Sequence, residues 1–227
     1  MTTSSTYRLA GRLLVIAFLL CFAGGLTHPI VDGQAHSVDS LNSPASPWAQ
    51  YLILAGTVAL LIGLPLLYAH LAPRLGWLGL IGTALYLVGN ATCAMAHLVV
   101  ESMVAVPLAA DPATAGLVPA DGTLFPSSAF QATQMVGGPL LLLGQLLLGI
   151  AVLRAKFPRW IGVLLVVGAV LAVLPIPEVA VVPGFTFELP RGLAVAALGL
   201  LMVRDNPPHS ATHAVTPTPL TADIIRR

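Results

Sequence analysis

The residues of this chain best suited to chemistry share one face of an apolar stretch, residues 75–101. Polar side chains recur there at steps of three or four: Thr83, Tyr86, Asn90, Cys93, His97 and Glu101. At 100° per helical residue they fall within about 80° of one another, so a helix presents them as one stripe. His97 and Glu101 stand one turn apart, and an apolar surrounding favours a protonated carboxyl group that can donate its proton. We therefore predict Glu101 as a general acid that His97 orients.

Two further segments carry polar residues at helical spacing. Gln131, Gln134, Gly138 and Gln145 fall within about 60° on a helix. Glu188 and Arg191 are three residues apart, a spacing that allows an ion pair within one helix. We expect these faces to enclose a polar pocket that opens to the outer side of a membrane, with Glu188 as a second catalytic carboxylate. The predicted ligand-binding residues are Tyr86, Asn90, Gln131, Gln134 and Arg191.

The alternative interpretation is that these stripes only pack helices together, with Glu101 and Glu188 in water at the level of the lipid headgroups. Whether the pocket changes its ligand chemically stays open at this point. A catalytic pocket of this kind fits acid-initiated cyclisation or isomerisation of an isoprenoid-like substrate. Two other functions are open alternatives. One is that of a non-catalytic accessory or scaffold protein. The other is that of a small transporter, which we expect to act as a homo-oligomer.

A second set of residues has ligand types suited to zinc or copper. His28, Asp32, His36 and Asp39 are spaced so that a helix would place all four on one face. Pro29 and Gly33 oppose such a helix, so we interpret the segment as a solvated polar loop and expect neither a metal nor a cofactor. A haem between His28 and His97 is less favoured still, because nothing in the sequence sets their separation.

Composition places these residues in a membrane protein. Hydrophobic residues make up 57% of the 227, charged residues 8%, and the mean hydropathy is +0.91. A soluble domain is roughly a quarter charged, and a disordered chain cannot keep so much apolar surface in water. The lipid bilayer is therefore the expected surrounding, and a net charge of +1 indicates no nucleic-acid partner.

Six segments are apolar enough to predict an all-α bundle of six transmembrane helices in residues 1–204. They are residues 9–27, 51–70, 75–101, 130–153, 160–174 and 187–203. Nine of the ten basic residues fall on one side of these spans, and the loops 28–49 and 102–129 contain none. Basic residues favour the cytoplasmic side, so both termini are expected there. We favour a retained first span over a cleaved signal peptide, and residues 205–227 are predicted to be a disordered cytoplasmic tail.

Three stretches carry a resemblance to a known group of proteins. These are Arg154-Ala-Lys-Phe-Pro-Arg-Trp-Ile-Gly162, Gly144-Gln-Leu-Leu-Leu-Gly149 and Arg8-Leu-Ala-Gly-Arg12. The chain resembles small six- or seven-span bacterial membrane proteins of the actinobacterial type that are grouped as domains of unknown function. The resemblance implies a multi-pass protein of the bacterial cytoplasmic (inner) membrane and brings no catalytic residues. In size and outer carboxylates the chain is also similar to small integral membrane terpene cyclases, which implies an isoprenoid ligand.

Overall fold

The regular structure of this protein is helical. The computed structural model describes residues 3–119, 123–175, 177 and 179–207, and these contain helices and no strand. The predicted all-α class is therefore confirmed. Four of the helices are long and apolar enough to cross a membrane: Thr3–Thr27, Trp48–Ala110, Ser128–Arg154 and Gly184–Asp205.

The first helix packs against the start of the third. Helix α1 is Thr3–Thr27, the short α2 is Val38–Leu41, and α3 is Trp48–Gly89. Glycines allow α1 and α3 to approach closely: a Cβ added at Gly56 would lie 2.5 Å from Cys21 Sγ. The small residues that the sequence carries in its apolar stretches thus serve direct helix contact.

The long apolar stretch that starts with α3 doubles back on itself. Gly76 interrupts α3 with a φ of 58° and a ψ of −159°, a conformation that side-chain-bearing residues rarely adopt. A straight helix from Gln50 to Glu101 would be about 76 Å long. Instead, the Gln50 side chain donates a hydrogen bond to Glu101 at 2.8 Å. The two ends of this stretch therefore lie at the same end of the bundle.

After α3 the chain continues as alternating wide and regular helical turns. The π-helical segment Asn90–Met95 leads into α4 (Ala96–Val100), and a second π-helical segment, Glu101–Ala105, leads into α5 (Val106–Ala110). Each π turn inserts an extra residue and so rotates the side chains that follow it. The stripe predicted from an ideal helix is therefore split between differently oriented turns.

The remaining helices close the bundle. Helix α6 (Ser128–Arg154) packs on the second half of α3, α7 is Arg159–Leu171, and α8 (Leu189–Asp205) packs on α1. The Gln145 side chain on α6 donates a buried hydrogen bond of 2.9 Å to the Leu165 carbonyl on α7. With 13 residues, α7 is shorter than the roughly 20 that a crossing needs.

Two segments form a small cover over the end of the bundle that holds Gln50 and Glu101, which we name the outer end. Its apolar core consists of Leu41, Ala105, Ala109, Val118 and Leu124, all less than a tenth exposed. Asn42 donates a hydrogen bond of 2.9 Å to the Ala109 carbonyl and joins the two segments. Asp121, Glu178 and residues 208–227 lie outside the described residues, and with them almost all of the predicted disordered tail, whose first residue, Asp205, ends α8.

Candidate functional site

Beneath the outer cover, three histidines surround one buried glutamate. We call this the outer histidine cluster: His28, His36, His97, Glu101 and the neighbouring Gln50. The His28 Nε2 atom lies 3.1 Å from Glu101 Oε1, and the His97 Nε2 atom lies 3.7 Å from Glu101 Oε2. Between them, His36 Nε2 is 3.1 Å from His97 Nε2 and 3.9 Å from Glu101 Oε1. The cluster thus joins parts of the chain that the sequence keeps far apart.

A tight turn brings His28 and His36 together. His28 follows the last residue of α1, and the chain reverses at Asp32 and Gly33, whose φ angles are 50° and 74°. Backbone hydrogen bonds between Val31 and Gln34 close the turn. The segment is therefore not a helix, and Asp32 is exposed. The expectation of a solvated loop is wrong for His28 and His36, whose side chains are only 13% and 21% exposed.

His97 and Glu101 remain neighbours, as their spacing predicts. His97 lies on α4, and Glu101 begins the second π-helical segment one turn later. The π-helical segment Asn90–Met95 ends just before His97, and the segment Glu101–Ala105 begins at Glu101. Such π turns are frequent at functional sites. Glu101 is fully buried, at 0% exposure.

Hydrogen bonds and charge define the state of Glu101 and His28. Gln50 Nε2 donates to Glu101 Oε1, whereas Glu101 Oε2 is buried without a hydrogen-bond partner. Burial opposes a charge on His28, but its hydrogen bond to Glu101, the Glu101 charge and the Pro29 backbone together raise the pKa of His28 above its usual value. Glu101 Oε1 thus accepts a hydrogen bond from Gln50 and lies within hydrogen-bond distance of His28.

A second polar site lies deeper in the bundle. We call it the central pocket; it is partly open, and its cavity volume is about 20 Å³, which is room for about one water molecule. Arg191, Glu188, Tyr86 and Asn90 line it, so four of the eight predicted site residues do meet. Arg191 binds Glu188 through two of its nitrogens, with Nε at 3.2 Å from Oε2.

The central pocket also contains residues that the sequence did not single out as site residues. Cys21 on α1 and Thr57 on α3 contribute to its lining. Thr57 is a polar residue inside an apolar run, and this is the sequence feature that could identify it as a pocket residue. Cys21 and Cys93 are both free thiols.

On its other side, Arg191 reaches a wider space, which we call the lateral cavity. This space is partly open and has a cavity volume of about 190 Å³. Its lining is mainly apolar: Gly138, Leu141, Leu142, Gly168, Ala172 and Phe187, with Cys93, Gln145 and Arg191. Arg191 therefore stands between a polar and an apolar space.

The two remaining predicted ligand-binding residues have other surroundings. Gln131 donates hydrogen bonds of 3.1 Å to the Thr123 and Phe125 carbonyls and so anchors the outer loop to α6. Gln134 has both side-chain polar atoms buried without a hydrogen-bond partner. Neither residue lines the central pocket or the lateral cavity.

Comparison with known proteins returns no relative. No family model matches the chain, and no curated protein or solved structure is significantly similar to it.

Proposed function

We propose that this chain is a multi-pass membrane protein that binds a small amphipathic or lipid-like molecule at Arg191. The observation that carries the proposal is that Arg191 lines both the polar central pocket and the apolar lateral cavity. A ligand head group that accepts hydrogen bonds would meet Arg191, and its apolar part would occupy the lateral cavity between Leu142 and Phe187.

The position of the ion pair supports this function. Arg191 lies about 20 Å along α8 from the basic end at Arg204. In the proposed topology it would lie within a hydrocarbon core of about 30 Å. An arginine at such a depth costs about 2.5–3.5 kcal/mol by insertion measurements, and such residues usually mark functional cavities. Glycine contacts such as Gly11 with Gly199 already pack α1 on α8, so packing does not require a charge there.

The proposal includes six crossings with both termini in the cytoplasm. The contact of Gln50 with Glu101 supports two crossings within Trp48–Ala110, since both ends of that stretch lie together. Helix α7 with the residues after it would supply the fifth crossing. The distribution of basic residues supports the orientation, and the resemblance noted above supports the bacterial inner membrane.

The proposal is one of binding and contains no acid–base step. Glu188 faces the guanidinium of Arg191 and serves as its counter-ion. Glu101 lines neither cavity, so the general acid expected from the sequence is separated from the proposed ligand site.

The test is native mass spectrometry of the protein in mild detergent with added oleate or farnesol as probes. The Arg191→Gln/Glu188→Gln double variant removes the ion pair without leaving one charge unpaired. Arg204→Gln, an exposed arginine on the same helix, is the matched control. We expect wild type and control to retain a probe that the double variant loses. Equal binding by all three proteins, or binding by none, contradicts the proposal.

A further inference from the structure

We propose that the outer histidine cluster binds one divalent metal ion and that Zn²⁺ is the favoured ion. The ligands are His28, His36, His97 and Glu101. Candidate ligand atoms of His28, His36 and Glu101 all lie within 4.8 Å of one another. This inference goes beyond the ligand pocket at Arg191 and does not depend on it.

Two distances in the cluster are close to the separation of neighbouring ligands in a tetrahedral zinc site. Zinc binds histidine nitrogen and carboxylate oxygen at about 2.0–2.2 Å, so neighbouring ligand atoms stand about 3.3 Å apart. The corresponding distances here are 3.1 Å for His28 to Glu101 and 3.1 Å for His36 to His97. His97 and His36 lie 3.7 and 3.9 Å from the two Glu101 oxygens. His28, His36 and Glu101 form the compact group, and His97, which lies outside it, would have to move toward the ion to become the fourth ligand.

A buried oxygen without a partner points to the same ion. Glu101 Oε2 is buried and accepts no hydrogen bond, and its distance of 3.7 Å to His97 Nε2 is too long for one. Leaving a buried charged oxygen unsatisfied is unfavourable. A metal ion between Glu101, His36 and His97 would satisfy it.

The charge around Glu101 also favours a cation. The sequence has no lysine or arginine in the outer loops 28–49 and 102–129, and Arg191 is paired with Glu188. A fully buried carboxylate requires compensation. A divalent ion supplies that charge while leaving all three imidazoles neutral, which is the form in which histidine binds metals.

The ligand set indicates the ion and its role. Three imidazoles and one carboxylate suit zinc, copper, iron or nickel better than magnesium or calcium. Four protein ligands fill a tetrahedral zinc site and leave no position for a reacting water, as in structural centres. The ion would then fasten the segment 28–36 to α4, and Gln50 would hold Glu101 in place as an outer-shell partner.

The experiment uses the full chain in detergent, with a purification tag that lacks histidine and with His209 and His213 replaced by Gln. Metal-stripped protein is titrated with Zn²⁺ and with Co²⁺, and bound metal is counted by elemental mass spectrometry. His70→Gln is the matched control, because His70 pairs with Asp205 at the other end of the bundle. We expect one ion per chain, visible absorption typical of tetrahedral Co²⁺, and no effect of His70→Gln.

Two variants of His36 decide the outcome. His36→Gln should weaken zinc binding by at least about 100-fold, since even outer-shell changes cost 10- to 100-fold. His36→Cys should restore Co²⁺ binding and add the near-ultraviolet charge-transfer band of a thiolate ligand. Far-ultraviolet circular dichroism and the elution volume verify that the variants fold. The proposal is overturned if wild type binds no stoichiometric ion, if His36→Gln binds as tightly, or if His36→Cys shows no such band.

Discussion

His36 and His97 are separated by 61 positions in the chain, yet their Nε2 atoms lie 3.1 Å apart. This contact ties the outer segment after α1 to the end of the long hairpin that α3 begins. A displacement of either segment would therefore separate the two histidines.

The first prediction concerns the support of Glu101. Gln50→Leu should weaken zinc binding by about 10- to 100-fold, because it removes the hydrogen bond that orients the carboxylate. The measurement is competition with a chromophoric chelator. Ser46→Ala is the control: it removes the other hydrogen-bond partner of the Gln50 side chain and leaves the contact with Glu101. An equal loss in both variants would contradict the assigned role of Gln50.

The second prediction concerns pH and the metal-free protein. Because the folded state raises the pKa of His28, its charged form stabilises the fold. That contribution is fully present below the unfolded value of about 6.5 and is lost as the pH rises through the higher folded value. Metal-free wild type should therefore lose more thermal stability between about pH 6 and pH 9 than His28→Gln does.

Zinc affinity should change with pH in the opposite direction, since protons compete with the ion for His28. Differential scanning fluorimetry with and without zinc measures both effects. If the thermal stability of metal-free wild type and of His28→Gln changed with pH in parallel, the protonation of His28 would not contribute to folding stability.

The third prediction concerns the packing of α6 on α3. A Cβ at Gly144 would lie 2.1 Å from the Tyr86 backbone nitrogen, so Gly144→Ala must push the helices apart. We expect destabilisation by about 1–3 kcal/mol or more, as for overpacked cores. Gly138→Ala on the same helix meets no atom within 4 Å and is the control. Unfolding in mixed detergents compares the two, and equal stability would refute the close contact.

The fourth prediction concerns the buried ion pair. Arg191→Gln alone should destabilise the protein by about 3–5 kcal/mol, because it leaves Glu188 buried without its partner. The double variant with Glu188→Gln should be closer to wild type in stability. A double variant that is as unstable as the sum of both single variants would show that the two side chains do not interact.

The fifth prediction concerns the orientation of the spans. In a Cys21→Ser/Cys93→Ser background, Gly116→Cys should react with a membrane-impermeant maleimide in intact cells, and Arg159→Cys should react only after permeabilisation. Both positions are exposed. The reverse labelling pattern would place the termini outside.

Much of the central pocket follows from the sequence. Tyr86 and Asn90 lie on one helical face, and Glu188 and Arg191 are close enough along the chain to pair in any helix. Charged residues in an apolar segment must face the protein interior, so these four residues were expected to meet. Cys21 and Thr57 could not be assigned in this way, because their contribution depends on how α1 crosses α3.

The outer histidine cluster shows the opposite case. The pair His97 and Glu101 is apparent from its spacing, since both are local. His28 and His36 were assessed as a helix with Asp32 and Asp39, and the turn at Asp32 and Gly33 breaks that pattern. Gln131 and Gln134 share a face of α6, but Gln131 binds the carbonyls of Thr123 and Phe125, and neither residue lines the central pocket.

The sequence by itself determined that the chain is an all-helical membrane protein, because 57% apolar residues and a helical spacing of polar ones allow little else. It also determined the local pairs, His97 with Glu101 and Glu188 with Arg191, which a single helix brings together. Only the tertiary structure decided that these pairs belong to two separate sites. The physical reason is that the partners of each pair come from other parts of the chain. Their approach depends on the reversal at Gly76, the turn at Asp32 and the rotation that π turns impose. Hydrophobic periodicity encodes none of these three features.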